Sequence, residues 1–259
     1  MSKGPKQRPA HRAHVAEART RARIADAAAK LPRKPAFKPT PGLEQGRGPN
    51  PERVRVILDK LQQAYPDAVC ELNHKNAFQL LISTILSAQC TDVRVNQVTP
   101  ALYSKYPDVK AFAYANPAEL EQDIRPTGFF RNKTKSIIGA SKKLIEDFRG
   151  EVPKTMEEIL TLPGVARKTG NVVLGSAFGI SSGVVVDTHV QRISLRLDLT
   201  RNEEPKKIEQ DLMKIIPQND WIRFSHQIIW HGRRVCVARK PRCVECNLER
   251  VCYSKDKTV

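Results

Sequence analysis

The sequence predicts an all-α protein, and three observations carry that prediction. Apolar residues recur at helical spacing from Pro51 onward. Proline and glycine interrupt the pattern at short intervals, as they do between helices. The one β-branched run, Val184 to Val186, is too short to seed a sheet. A chain of 259 residues with 40% apolar content can build a substantial core, in one domain or two. No internal repeat is visible.

Residues 1–50 read as a basic, disordered tail. They hold 12 Lys and Arg against 3 Asp and Glu, and they contain too few large apolar residues to fold alone. Residues 13–30 have the composition of a helix formed on DNA. The tail is Arg-rich and acid-poor, as an organellar transit peptide is, but its scarcity of serine favours a DNA-binding arm. After it, Val54, Ile57, Leu58 and Leu61 mark the first helix. Phe78–Leu86 is a strongly apolar helix, and Ala111–Leu120, Lys133–Phe148 and Met156–Leu162 follow. Pro51, Pro117 and Pro153 sit near helix starts, where a missing N–H costs little.

Composition narrows the function. The net charge of +17 calls for an anionic partner, most simply nucleic acid, although a basic surface also aids solubility. No stretch is apolar enough to cross a bilayer. Residues 1–30 lack the apolar core of a secretory signal. The expected location is therefore cytoplasmic, at the nucleoid in a bacterium. In a reducing compartment the cysteines read as metal ligands and not as disulfides.

Leu162-Pro163-Gly164-Val165-Ala166-Arg167-Lys168-Thr169 predicts a helix end, a tight turn and a new helix start. Gly164 can take the positive φ such a turn needs. The N–H groups opening the second helix would form a phosphate site that ignores base sequence. This is a helix–hairpin–helix. Lys168 falls in the first turn of its second helix, where the helix dipole disfavours a cation and makes the neutral, nucleophilic amine more accessible. A phosphate-binding lysine is the plainer reading. Asp187, in Val186-Asp187-Thr188-His189, precedes another helix and is suited to cap it. A fixed carboxylate near a nucleophilic amine also suits displacement at a sugar carbon, because the carboxylate offsets oxocarbenium charge.

Cys236, Cys243, Cys246 and Cys252 are separated by six, two and five residues. Structural zinc sites usually pair two short knuckles. Here only Cys243 to Cys246 is short, so the loop wraps a bulkier object, such as a cubane iron–sulfur cluster. His189, His226 and His231 read as packing or hydrogen-bonding residues. Cys70 and Cys90 read as buried small apolar residues.

Together the LPGV-x-x-KT hairpin, the VDTH aspartate and the four-cysteine loop resemble the endonuclease III family of DNA glycosylases. The resemblance spans roughly residues 51–253. It implies two helical domains with a DNA-binding cleft between them. One is a six-helix domain over residues 71–181, with the helix–hairpin–helix at about 155–178. The other joins residues 51–70 to 182–259 and holds the iron–sulfur cluster in loop 236–252. It implies that Lys168 is the nucleophile that forms a Schiff base with deoxyribose, and that Asp187 is the catalytic carboxylate. It further implies that the four cysteines hold a [4Fe–4S] cluster. Gln89, in LSAQCTD, would fill the gap left by a flipped base. Gly164, Val165, Ala166, Arg167 and Thr169 would grip phosphate, as would Arg239, Lys240 and Arg242 of the cluster loop.

Three departures stand out. Ala166 stands where the family usually has glycine, which raises the expectation of an altered hairpin. The stretch from Lys168 to Asp187 is one residue longer than the pattern, around residues 180–183, and that loop is expected to absorb it. Phe129 and Phe130 stand in the loop opposite Gln89 where the family often has Leu-Tyr. Either ring is expected to enter the base stack or to pack in the core. The implied activity is a bifunctional glycosylase and abasic-site lyase that removes oxidised pyrimidines from double-stranded DNA as a monomer. The rivals are a mismatch, uracil or pyrimidine-dimer glycosylase of the same superfamily, or a non-catalytic DNA-binding scaffold with a metal-filled loop. The chain runs only seven residues past Cys252, so no further recognition domain is expected.

Overall fold

The computed structural model describes residues 48–259. The predicted tail lies outside them except for its last three residues. The described residues belong to one compact unit, and every regular element among them is helical.

Helix α1 spans Pro51–Ala64. The Asn50 side chain caps it by accepting from the Arg53 N–H at 2.9 Å, and Pro51 fills the first turn. Its buried face holds Val54, Ile57 and Leu61 of the predicted stripe, with Leu58 half-buried beside them. Helix α2, Ala77–Leu86, has every residue from Leu80 on buried, which matches its strongly apolar sequence, and the buried hydroxyls of Ser83 and Thr84 are hydrogen-bonded. Helix α3, Asp92–Lys105, contains Pro100 in its interior. The expected helix over 111–120 is two helices instead, α4 at Val109–Ala113 and α5 at Pro117–Ile124. The break has a local cause. Asn116 caps the second by accepting from the Ala118 N–H, and Pro117 cannot donate to a continuing helix. Then come α6, Phe130–Phe148, α7, Met156–Ile159, and α8, Arg167–Phe178. Three more follow: α9, Thr188–Arg196, α10, Pro205–Ile215, and α11, Trp221–Arg234. Val184 to Val186 is buried coil without strand pairing.

These helices build two apolar cores. One draws its buried residues from Leu72 to Leu174. The other combines Val54, Ile57 and Leu61 of α1 with residues between Val184 and Val251. Helix α1 reaches its core across almost the whole chain, and Arg53 clamps it there. That guanidinium is 1% exposed and donates to the carbonyls of Gly48, Leu197 and Val251. Burying this arginine is tolerable because the carbonyls satisfy its donors. Helix α8 packs on α2, and α9 packs on α11. The start of α8 and the start of α9 are thereby presented to the same cleft.

Candidate functional site

A cleft of about 800 Å³ is lined by Gln89, Lys168 and Asp187 together with His189 and Arg233. It brings together the three residues that sequence reasoning singled out from separate motifs. Asp187 ends the buried valine run and caps α9. Its Oδ1 accepts from the N–H groups of His189 and Val190, each at 2.8 Å. That doubly bonded carboxylate is fixed in place. Lys168 is the second residue of α8 and exposed.

The hairpin explains how Lys168 is presented. Gly164 has φ +76°, and a Cβ there would stand 2.4 Å from the Cβ of Ser136. Both the backbone and the close approach demand glycine. Ala166 has φ −98° and ψ 170°, extended values open to any residue. Alanine in place of a second glycine therefore imposes no strain, and the expected alteration of the hairpin does not arise there. No side chain caps α8. Seven other helix starts are capped by an Asn, Thr or Asp upstream of the first residue: Asn50, Asn76, Thr91, Asp108, Asn116, Thr155 and Asp187. The first N–H groups of α8 are left for a ligand, as an anion site requires.

The other hairpin residues divide. Gly164 and Ala166 are exposed and Thr169 is half-buried. Val165 is buried, and its N–H donates to the Leu162 carbonyl at 3.2 Å, so its side chain is core and not contact surface. The Nε of Arg167 donates to Glu209 at 2.8 Å. Glu209 is buried on α10 and also accepts from Asn171 at 2.7 Å. Ser182, in the longer loop, donates to Asn171. This network ties the Lys168 helix to α10 and to the loop that leads toward Asp187.

The two aromatic residues separate as well. Phe129 is 61% exposed with φ +49°. Phe130 packs against the first core, with the Arg125 and Arg131 guanidinium carbons 5.9 and 5.8 Å from its ring centre. Gln89 is exposed with φ +53°. A left-handed, non-glycine backbone costs roughly 1–3 kcal/mol, and such strain collects at functional sites.

Cys236, Cys243, Cys246 and Cys252 line one apolar cavity, with Arg196 on its wall. Arg196 donates to the Cys236 sulfur at 3.2 Å and to the Val237 carbonyl at 2.8 Å. Burial, with the neighbouring thiols adding to it, pushes the Cys246 thiol up to about 11. Such thiols do not ionise readily without a cationic centre among them. Among the described residues no group of three His, Cys, Asp or Glu side chains is drawn together as around a single ion. Four thiols around one apolar space are a donor set that a [4Fe–4S] cluster can use. Arg239, Lys240 and Arg242 are exposed on the same loop, and Arg242 pairs with Glu245 at 3.8 Å.

Sequence reasoning missed several polar residues. Arg192 reaches the Cys236 carbonyl at 2.9 Å and the Nδ1 of His189 at 3.2 Å, so it spans from the cysteine loop to the cleft. Burial pushes His189 below the usual histidine range, against the pull of Asp187. Arg233 pairs with Asp92 at 2.6 Å and with Glu71 at the cleft wall. Cys70 and Cys90 pack against the first core but are half-buried and line the cleft, short of the full burial expected. His226 and His231 hold to packing and hydrogen bonding: His226 meets Ser176 and His231 meets Tyr65. The available signal was a charge on an apolar face. Glu209 lies one residue after Ile208 and three before Leu212, both fully buried.

The family model described as "HhH-GPD superfamily base excision DNA repair protein" matches residues 82–218. The chain is 60% identical over 203 residues to Endonuclease III of Synechocystis sp., covering 78% of this chain and 93% of that one. It is 44% identical over 209 residues to Endonuclease III of Bacillus subtilis, covering 80% and 95%. Among solved structures, a trapped Endonuclease III–DNA covalent intermediate superposes with a TM-score of 0.75 at 44% identity. That match covers 79% of this chain and 96% of that one. A thermostable thymine-DNA glycosylase shares the fold, with a TM-score of 0.70 at 21% identity over 78% and 96% of the two chains.

Proposed function

The chain belongs to the HhH-GPD superfamily of base excision DNA repair proteins and, within it, to the endonuclease III family, and on that footing we propose how its cleft works and on what. It is a base excision repair DNA glycosylase and abasic-site lyase. Its partner is DNA. The substrate we assign is an oxidised pyrimidine nucleotide swung out of a duplex into the cleft.

The observation that carries this reading is the convergence of Lys168, Asp187 and Gln89 on one cleft beside an uncapped helix start. Exposed N–H groups at the start of α8 and the basic residues of loop 236–252 hold the backbone. Gln89 and Phe129 enter the stack as the nucleotide leaves it. The Lys168 amine attacks C1′, and the C1′–N bond breaks with its electron pair going to the departing base. Asp187 offsets the positive charge on the sugar in the transition state. Loss of an amine proton and ring opening give the imine. The imine acidifies a C2′ proton, and β-elimination releases the 3′ phosphate. No step consumes water before the imine is hydrolysed.

The residues of loop 236–252 suit a [4Fe–4S] cluster, held by Cys236, Cys243, Cys246 and Cys252. Such a cluster would stiffen the loop and aim Arg239, Lys240 and Arg242. Iron and acid-labile sulfide in the purified protein test this. The two apolar cores suggest two domains, residues 71–181 and residues 51–70 with 182–259. A monomer acting at the nucleoid suits a site built within one chain.

Borohydride reduction of the imine tests the nucleophile. Wild type should cross-link to a lesion-bearing duplex, and Lys168→Ala should not, while still binding undamaged duplex. A Lys168→Ala variant that cross-links as efficiently as wild type removes Lys168 from the role. Equal cleavage of duplexes bearing normal and oxidised pyrimidines removes the substrate assignment.

A further inference from the structure

Lys133 is a buried cation that the mechanism above leaves unused. It lies on α6 and is 4% exposed. Its ammonium donates to the Leu86 carbonyl at 2.7 Å and to the Thr127 carbonyl at 2.8 Å. No Asp or Glu pairs with it among the described residues. Burial lowers its pKa from the ordinary lysine value. A buried ammonium without a counter-charge is expensive unless its donors are met. A leucine or methionine would fill the same space without that cost, so packing alone does not account for it.

The two acceptors are not arbitrary carbonyls. Leu86 is the last residue of α2, and Thr127 is the last residue of the 3-10 turn Arg125–Thr127. Terminal carbonyls of helices lack partners within the helix and carry negative partial charge. One ammonium therefore caps two helix ends at once. From the first end the chain runs three residues to Gln89. From the second it runs two residues to Phe129. Gln89 and Phe129 are both exposed, and both are non-glycine residues held in the left-handed region.

We propose that Lys133 is a positioning residue: by bridging two helix ends, it sets the spacing of Gln89 and Phe129 and so how they enter a base stack. This rests on the reading of those two residues as stack-entering. It predicts that Lys133 matters where a nucleotide must be drawn from a duplex, and matters little where there is no stack to open.

The test uses the full chain and two substrates. One is a duplex carrying an oxidised pyrimidine. The other is a single-stranded oligonucleotide with an abasic site, which has no opposite base and no pair to break. Lys133→Met should lose about tenfold or more in kcat on the duplex and less than about threefold on the single strand. Lys133→Arg keeps the charge and the donors and should recover much of the duplex activity. If Lys133→Met does not fold, Lys133→Gln, which keeps an N–H donor but loses the charge and the reach to both carbonyls, carries the same comparison through a larger loss on duplex than on single strand. In a Gln89→Ala/Phe129→Ala background, Lys133→Met should cost less than about twofold further, since residues acting through one device are not additive. Equal losses on the two substrates, or an additive loss in that background, overturn the role of Lys133. A Gln89→Ala/Phe129→Ala variant with full duplex activity overturns instead the stack-entering reading on which the proposal rests.

Discussion

Gly164→Ala should weaken the hairpin through two separable effects. The first is conformational. An alanine held at φ +76° costs roughly 1–2 kcal/mol against its preferred backbone. The second is steric. The new Cβ would lie 2.4 Å from the Ser136 Cβ and 2.5 Å from its Oγ, where ordinary contact begins at 3.4 Å. The Ser136 Cβ is rooted on α6 and cannot swing away, so the hairpin must retreat by about 1 Å, an overpacking cost of roughly 1–3 kcal/mol. The sum is roughly 2–5 kcal/mol, and a body of this size loses roughly 2–4 °C in melting temperature per kcal/mol. Gly179→Ala is the control. Gly179 has φ +68° with no atom within 4 Å of the added Cβ, so it should show only the first effect. Thermal unfolding followed by circular dichroism measures both. A double-mutant cycle with Ser136→Gly isolates the overlap and should return a coupling of roughly 1–3 kcal/mol. Fluorescence anisotropy on undamaged duplex should show about a tenfold loss for Gly164→Ala, the worth of one charge-assisted hydrogen bond. If Gly164→Ala costs no more than Gly179→Ala and the cycle shows no coupling, the steric account of the hairpin is wrong.

Two further outcomes follow from buried polar groups. Glu209→Leu leaves the Arg167 Nε and the Asn171 amide without their acceptor. It should cost roughly 2–4 kcal/mol in urea unfolding and slow imine formation, because the Lys168 helix loses its tie to α10. Burial holds folded His226 below its unfolded value of 6.5. Below pH 6.5 the unfolded chain takes up a proton that the folded chain resists. The stabilisation is therefore complete above pH 6.5 and is lost as pH falls toward the folded value. Melting temperatures between pH 7.5 and 5.5 should decline less steeply for His226→Gln than for wild type. The decline should not vanish, since His189 is shifted the same way.

What the sequence disclosed was local. Pro163 and Gly164 announce a hairpin because turn chemistry is written in adjacent residues. Asp187 announces a cap for the same reason. The cysteine spacing announces one shared loop, and its four thiols line one cavity. What it concealed lies in contacts between distant residues. Arg167 looks like a phosphate contact until Glu209, 42 residues on, is found at its Nε. Val165 reads as hairpin surface until its side chain is seen in the core. Phe129 and Phe130 are adjacent and chemically alike, yet Phe129 is exposed on a left-handed backbone while Phe130 packs against the first core. Lys133 passes for a solvated charge on a long helix until it is seen to meet Leu86, 47 residues earlier. Hydrophobic periodicity locates the helices but is silent on which charges they bury.

The core that α1 enters has a consequence for the order of events at the ribosome. Val54, Ile57 and Leu61 are made early, but their partners begin at Val184 and end at Val251. About 120 residues separate the end of α1 from the first of them, which at about 5–20 residues per second is a wait of roughly 6–24 s. The carbonyl of Val251 that receives Arg53 comes later still. Among the described residues the earliest helix synthesised is thus the last to close, and the cysteine loop is sealed only when the two ends of the described chain meet.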